Sequence, residues 1–230
     1  VDHRGAVRSA IEEIARRFPG SGRSVGELIR HWRVLEHRHM AEYLAGRCSY
    51  AEQRRRRLRD FLPLLGEPVP AGDPELDAWY AAHYLPHYTA GWRSYPDVAP
   101  CLAALRARPA APRRAVLTNG EPRQQRAKLD RCGLLGAFEA VLTPEDLGAA
   151  KPDAACFLAA CRTLGADPRQ TVYVGDWLEG DAVAAARAGL AGIWLDRGEH
   201  PVTGAATSPA DVPDDTVVRI DSLRALADLL

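Results

Sequence analysis

No apolar run in these 230 residues approaches the roughly 20 that a membrane-crossing helix needs. The opening also lacks the basic-then-apolar pattern of a secretory leader. Neither sign of charge is in excess. Lys+Arg and Asp+Glu are both 30, for a formal net charge of zero, so nothing in the balance draws the chain to nucleic acid or to an anionic membrane surface. Cysteine is sparse: Cys48, Cys101, Cys132, Cys156 and Cys161 include no CxxC pair. That argues against a zinc site and fits a reduced, cytoplasmic setting. There is no lysine from Val1 to Gly91, no internal repeat, no low-complexity segment and no signal of oligomeric state.

What is present is enough apolar material, 47%, for a packed core. The first ninety residues read as helices. Val7, Ile11, Ile14, Ala15 and Phe18 recur at helical spacing, as do Val25, Leu28, Ile29, Trp32 and Leu35. Ser24 with Glu27, and Ser49 with Glu52, form possible capping boxes, and Asp73-Pro74 suits an N-cap followed by a first-turn proline. A fourth helix runs through "PELDAWYAAHYLPHY", with Pro86 placed to break or kink it. These four helices predict a small bundle over 1–92, with residues 1–5 as a linker. Its last helix carries Trp79, Tyr80, His83, Tyr84, His87 and Tyr88, for which packing is a better reading than ring stacking on a ligand. Arg54–Arg57 with Arg59 read as a solvated face, and His31, His37 and His39 as surface residues.

From about residue 95 short apolar strands alternate with helices. Strands are expected at 114–118, 138–143, 171–175, 191–195 and 216–220, with helices between and a last helix at the end. The stretch 197–215 reads as a loop. The expected fold class is α/β: a Rossmann-like parallel sheet over 93–230, covered by helices on both faces, plus the helical bundle.

Ligands bind beyond the carboxyl ends of the strands in such sheets. After 114–117 come Thr118, Asn119 and Gly120. After 172–174 come Gly175 and Asp176, with Asp181 five residues on. The loop after 138–143 leads to Lys151. Thr118 and Lys151 are suitable donors to a phosphate, as are the backbone N–H groups at Asn119 and Gly120. Asp176 and Asp181 are suitable oxygen ligands for Mg²⁺, directly or through water. Trp177, next to Asp176, either shapes the entrance or packs.

In this order and spacing, "VLTNG", "KP" at 151–152 and "GDWLEGD" resemble the second, third and fourth motifs of the haloacid dehalogenase-like (HAD) hydrolase superfamily. The resemblance implies that Thr118 and Lys151 hold the transferring phosphoryl group, that Asp176 binds Mg²⁺, and that Asp181 orients Lys151 and the metal's waters. It implies that the helical stretch is the family's cap, where specificity resides. It also implies a Mg²⁺-dependent phosphatase of small phosphorylated metabolites: nucleotide, sugar or flavin-precursor phosphates. Dehalogenases of the family lack the paired acids of "GDWLEGD". A phosphonate hydrolase would need a cap lysine, which the stretch 1–91 does not have. A phosphomutase shares the core motifs.

The family's first motif, DxDxT, supplies its nucleophilic aspartate from the end of a strand in the middle of the sheet. Residues 1–230 contain no such motif. Asp214-Asp215-Thr216 lacks the DxD spacing and precedes a strand, so it reads as a turn. Losing a central strand would forfeit about 1.5–3 kcal/mol per large apolar side chain and leave backbone groups unpaired, against a total stability of only about 5–15 kcal/mol. The expectation is therefore that the nucleophile lies upstream of residue 1 and that residues 1–230 alone are inactive. The alternative is a protein that binds phosphate or Mg²⁺ without turnover.

Overall fold

The computed structural model describes residues 1–198 and 217–230. The expected loop over 197–215 and the Asp214-Asp215-Thr216 turn thus fall almost wholly outside the described residues. The chain divides into two compact units, Val1–Arg93 and Ser94–Leu230.

The first unit is helical. α1 (His3–Arg17) starts at Asp2, whose carboxylate accepts from the Gly5 N–H. Residues 1–5 are therefore the capped start of a helix, where a linker had been expected. α2 (Val25–Leu44) opens with the Ser24–Glu27 capping box, and Ser49 accepts from the Glu52 N–H to start α3 (Tyr50–Phe61). α4 (Asp73–Trp79) is capped by Gly72, so Asp73 stands one position inside the helix. Its carboxylate there faces Arg55 and Arg59.

Pro86 has the anticipated effect, one turn early. Having no N–H, it cannot continue the hydrogen-bond ladder. The preceding Tyr80–Tyr84 segment widens into a π-helical turn in which the Leu85 N–H reaches back to the Tyr80 carbonyl, and α5 (Leu85–Ala90) follows. Tyr80, Tyr84 and Tyr88 stack at 5.0 and 5.3 Å, and Tyr84 stacks on Trp32 at 4.4 Å. These rings are core, together with Ile11, Leu28 and Phe61.

Two polar side chains of this unit are buried, against expectation. Arg57 is not on a solvated face: it is buried, pairs with Glu36 at 2.8 Å and lies over the Trp32 ring. His39 is buried as well and bonds Asp60 at 2.8 Å. Both fall on the buried stripe of their helices, His39 in step with Leu28 and Trp32, and Arg57 with Gln53 and Phe61.

The second unit is a layered parallel α/β structure. α6 (Val98–Arg106), which the strand–helix alternation had not indicated, precedes β1 (Ala115–Leu117) and α7 (Pro122–Arg131). β2 (Ala140–Leu142), α8 (Pro144–Leu147) and α9 (Ala154–Leu164) follow. β3 (Val172–Gly175) leads through a π-helical turn, Leu178–Val183, into α10 (Ala184–Arg187). β4 (Ala191–Leu195), β5 (Val217–Ile220) and α11 (Leu226–Leu229) complete the unit.

β1 pairs with β2, and β3–β4–β5 form a second sheet; every pairing is parallel. Side-chain alternation splits the two faces. Val172, Val174, Ile193 and Leu195 pack with Cys101, Leu105 and Leu226 of α6 and α11. Leu117 and Tyr173 pack with Phe157, Cys161 and Ala185 of α9 and α10. Asp97 anchors α6 by accepting from Arg197, from the Ser222 hydroxyl and from the Leu223 N–H.

Candidate active site

Every strand is followed at once by polar residues, because the parallel arrangement carries each carboxyl end to the same edge of the layer. Thr118 follows β1. Its N–H donates to the Leu142 carbonyl, and its hydroxyl accepts from the Gly120 N–H at 3.2 Å. The Asn119 side chain is engaged within the protein. Its side-chain amide donates to the Lys151 carbonyl at 2.8 Å and its oxygen accepts from the Lys151 N–H at 2.9 Å. This two-bond clamp fixes the backbone of Lys151, whose bond to Pro152 is cis.

Held in this way, Lys151 extends to a buried acid. Its Nζ lies 2.6 Å from Asp181 Oδ1 and 2.8 Å from the Tyr173 hydroxyl, which itself donates to Asp181 Oδ1 at 3.2 Å. Asp181 Oδ2 accepts from the Trp177 N–H at 3.1 Å. The wide turn after β3 brings Asp181 back against the strand: a Cβ at Gly175 would stand 2.4 Å from the Asp181 side chain. Glycine is therefore the residue that lets the acid approach. Asp181 is 4% exposed and the Lys151 side chain 12%. Burial opposes the lysine's charge, but the Tyr173 and Asp181 oxygens outweigh it and hold the ammonium well above its usual pKa. Burial likewise pushes the Tyr173 hydroxyl far up, so it stays a donor.

Asp176 differs from Asp181. It is exposed, and its main-chain carbonyl is fixed by the Trp194 indole N–H at 3.3 Å. Its carboxylate stays open to solvent, whereas both Asp181 oxygens are taken by protein donors. Among the described residues no three His, Cys, Asp or Glu gather as a ready-made metal cage. The open Asp176 carboxylate is of the kind that suits Mg²⁺, which keeps several waters and takes one or two carboxylates plus phosphate oxygens. Asp176 suits direct coordination and Asp181 does not. Trp177 is 40% exposed and its ring covers Gly180.

Tyr173 is the residue that sequence reading passed over. The only available signal was a hydroxyl within an otherwise apolar strand, one step out of phase with Val172 and Val174.

The comparisons with known proteins bear on this arrangement. The haloacid dehalogenase-like hydrolase family matches residues 1–189. The chain belongs to that family. Among curated relatives it is similar to a glyceraldehyde 3-phosphate phosphatase of Methanopyrus kandleri, 36% identical over 69% of this chain and 66% of the relative. It is also similar to a phosphoserine phosphatase of Thermus thermophilus, 38% identical over 52% of this chain and 47% of the relative. The match thus spans about half to two thirds of those relatives.

In fold it resembles the HAD-hydrolase YfnB of Bacillus subtilis, solved with magnesium (TM-score 0.74, 19% identity, 100% of this chain and 93% of that one). A defluorinating L-2-haloacid dehalogenase is similarly close (TM-score 0.73, 22% identity, 100% and 90%). The α/β fold with a helical region is that of these hydrolases. Among the described residues no helix is long and apolar enough to cross a membrane.

Proposed function

We propose that this HAD-like hydrolase is a Mg²⁺-dependent phosphatase of small phosphorylated metabolites, in the class of nucleotide, sugar or flavin-precursor phosphates, working in the cytoplasm without nucleic-acid or membrane partners. The observation that carries the reading is the Lys151 ammonium, clamped by Asn119 and paired with Asp181 at the edge where Thr118 and Asp176 emerge. A fixed cation beside an open carboxylate suits a dianionic phosphoryl group; the phosphatase names of the curated relatives favour the same chemistry.

Phosphoryl transfer asks a protein mainly for positioning and charge neutralisation. Lys151 would donate to a phosphoryl oxygen, with Asp181 and Tyr173 fixing its direction and keeping it protonated. The Thr118 hydroxyl and nearby main-chain N–H groups would hold the remaining oxygens. Asp176 would hold Mg²⁺, which supplies neutralisation of the phosphoryl charge. The nucleophile would be the aspartate of a DxDxT motif, which residues 1–230 do not contain, forming an aspartyl-phosphate that water then hydrolyses. Residues 1–230 alone would bind but not turn over. The helical unit Val1–Arg93 is read as the specificity-bearing cap.

The test is phosphate release from a panel of phosphomonoesters by a polypeptide carrying an N-terminal strand and DxDxT ahead of Val1, with Mg²⁺ and with EDTA. Turnover that EDTA abolishes supports the reading. Turnover of 2-haloacids, or phosphate release indifferent to EDTA, contradicts it.

A further inference from the structure

The chain has five tryptophans, and four of them have a ring or cation partner. Trp32 stacks on Tyr84, Trp79 meets Phe18 and His83, Trp92 meets Tyr88, and the Arg219 guanidinium lies over Trp194. Trp177 differs. Among the described residues its ring has no aromatic or cationic partner, and its indole N–H makes no hydrogen bond. It is also the one exposed tryptophan, at 40%. A single exposed apolar residue is ordinary on a protein surface. An indole is nevertheless among the largest apolar groups a chain can bury, and this one is held in the open.

Both main-chain groups of Trp177 are bonded to Asp181. The Trp177 N–H donates to Asp181 Oδ2 at 3.1 Å, and the Trp177 carbonyl accepts from the Asp181 N–H at 2.7 Å. The ring lies over Gly180, where any Cβ would collide with it. Leu178, the next residue, is buried with Trp194 and packed on by Val217. The indole is thus fixed by the same turn that returns Asp181 to Lys151, and a group already fixed gives up little freedom when something stacks on it. Trp177 directly follows Asp176, whose carboxylate is exposed as well. The Lys151–Asp181 pair is nearly buried, so the organic part of an ester whose phosphoryl group meets Lys151 and Asp176 extends to the solvent side, the side on which the indole is exposed.

We propose that the exposed indole of Trp177 is a stacking platform for a flat ring on the substrate's alcohol, so that the preferred phosphomonoesters carry a heteroaromatic ring, as nucleoside monophosphates do, rather than an acyclic chain. This rests on the phosphatase reading, within which it selects one class. Trp177 is a specificity-determining residue here: it touches the leaving alcohol and takes no part in moving the phosphoryl group. Stacking is tolerant of ring identity, because every base has a π-face, so the platform favours rings as a class over any one base. The free indole N–H adds a donor at the ring's edge.

The experiment is calorimetric titration of the 230-residue chain in Mg²⁺ with adenosine 5′-monophosphate, O-phosphoserine and adenosine, repeated with Trp177→Leu and Trp177→Phe. Leucine keeps apolar bulk over Gly180 and loses the ring; phenylalanine keeps a ring. The parent is expected to bind adenosine 5′-monophosphate at least about tenfold more tightly than O-phosphoserine. In Trp177→Leu that ratio should fall to about threefold or less, and Trp177→Phe should restore part of it. Equal affinity of the parent for the two phosphates overturns the proposal. So does an equal loss of both in Trp177→Leu, which would mark a role in the fold alone. Adenosine bound as tightly as its monophosphate overturns it too, by separating the ring from the phosphate site. Binding of neither phosphate by the parent overturns the phosphatase reading together with the platform, whereas the other three outcomes leave that reading standing.

Discussion

Lys151 Nζ and Asp181 Oδ1 lie 2.6 Å apart, across a gap of thirty residues in sequence, as a nearly buried ion pair. Asn119 fixes one end of the pair, and the Trp177 N–H with Tyr173 fixes the other. Removing either partner leaves a buried charge uncompensated. Lys151→Met is expected to destabilise the second unit by about 3–5 kcal/mol and to abolish turnover of the motif-bearing protein; urea unfolding and phosphate release by that protein check the two effects.

The pH dependence follows from the direction of the Lys151 shift. Its folded pKa is raised, so its stabilisation is complete below the unfolded value of about 10.4 and is lost only as pH rises through the higher folded value. Between pH 6 and 9 the melting temperature should carry no contribution from this lysine's titration. Comparing melting curves of the parent chain and Lys151→Met across pH 8–11 checks this: the parent keeps its full advantage up to about pH 10, and the gap begins to narrow only above that.

Tyr173→Phe removes the hydroxyl shared by Lys151, Asp181 and Leu117 while keeping the ring edge-on to Phe157. The expected cost is about 1–3 kcal/mol, since the groups left behind are charged or buried. Turnover of the motif-bearing protein should fall more through kcat than through KM, because lysine orientation matters most in the transition state.

Much of this site could be read from the sequence, because each strand is a short apolar run ended by a polar residue. Thr118, Asp176 and the loop lysine stand out by contrast with what precedes them. Other features depend on packing that no local pattern records. Arg57 belongs to a run of four arginines, yet only it meets Glu36 and Trp32 inside the bundle. Asn119 resembles a turn residue until the chain brings Lys151 beside it. The wide turn at Leu178–Val183 has no propensity signature; it follows from the need to return Asp181 to Gly175.

In the first unit, Arg57→Ala should cost about 1.5–3 kcal/mol by removing the charge-assisted bond to Glu36, which keeps its contact with His3. Adding Glu36→Leu should cost less than the sum of the two single changes. A double-mutant cycle by urea unfolding checks this, with near-additivity as the opposing result.

Asp97 gives a prediction of the opposite pH sign. Burial raises its pKa, but the bonds from Arg197, the Leu223 N–H and Ser222 win, and the folded value lies below the usual one. Its stabilisation is present above about pH 3.9 and is lost as pH falls through the folded value. Asp97→Asn should cost about 1.5–3 kcal/mol at neutral pH, and acid titration should show the gap to the parent chain closing below pH 4.

The proposed phosphatase chemistry depends on Asp176 as the Mg²⁺ ligand. The most direct measurement is the Mg²⁺ dependence of phosphate release by the motif-bearing protein, with and without Asp176→Asn. Saturable Mg²⁺ activation is expected in the parent. In the variant, turnover at equal Mg²⁺ should fall at least about a hundredfold, about 2.7 kcal/mol of transition-state stabilisation, with unchanged melting temperature because the side chain is exposed. Equal turnover in both proteins, with the same Mg²⁺ response, would contradict it.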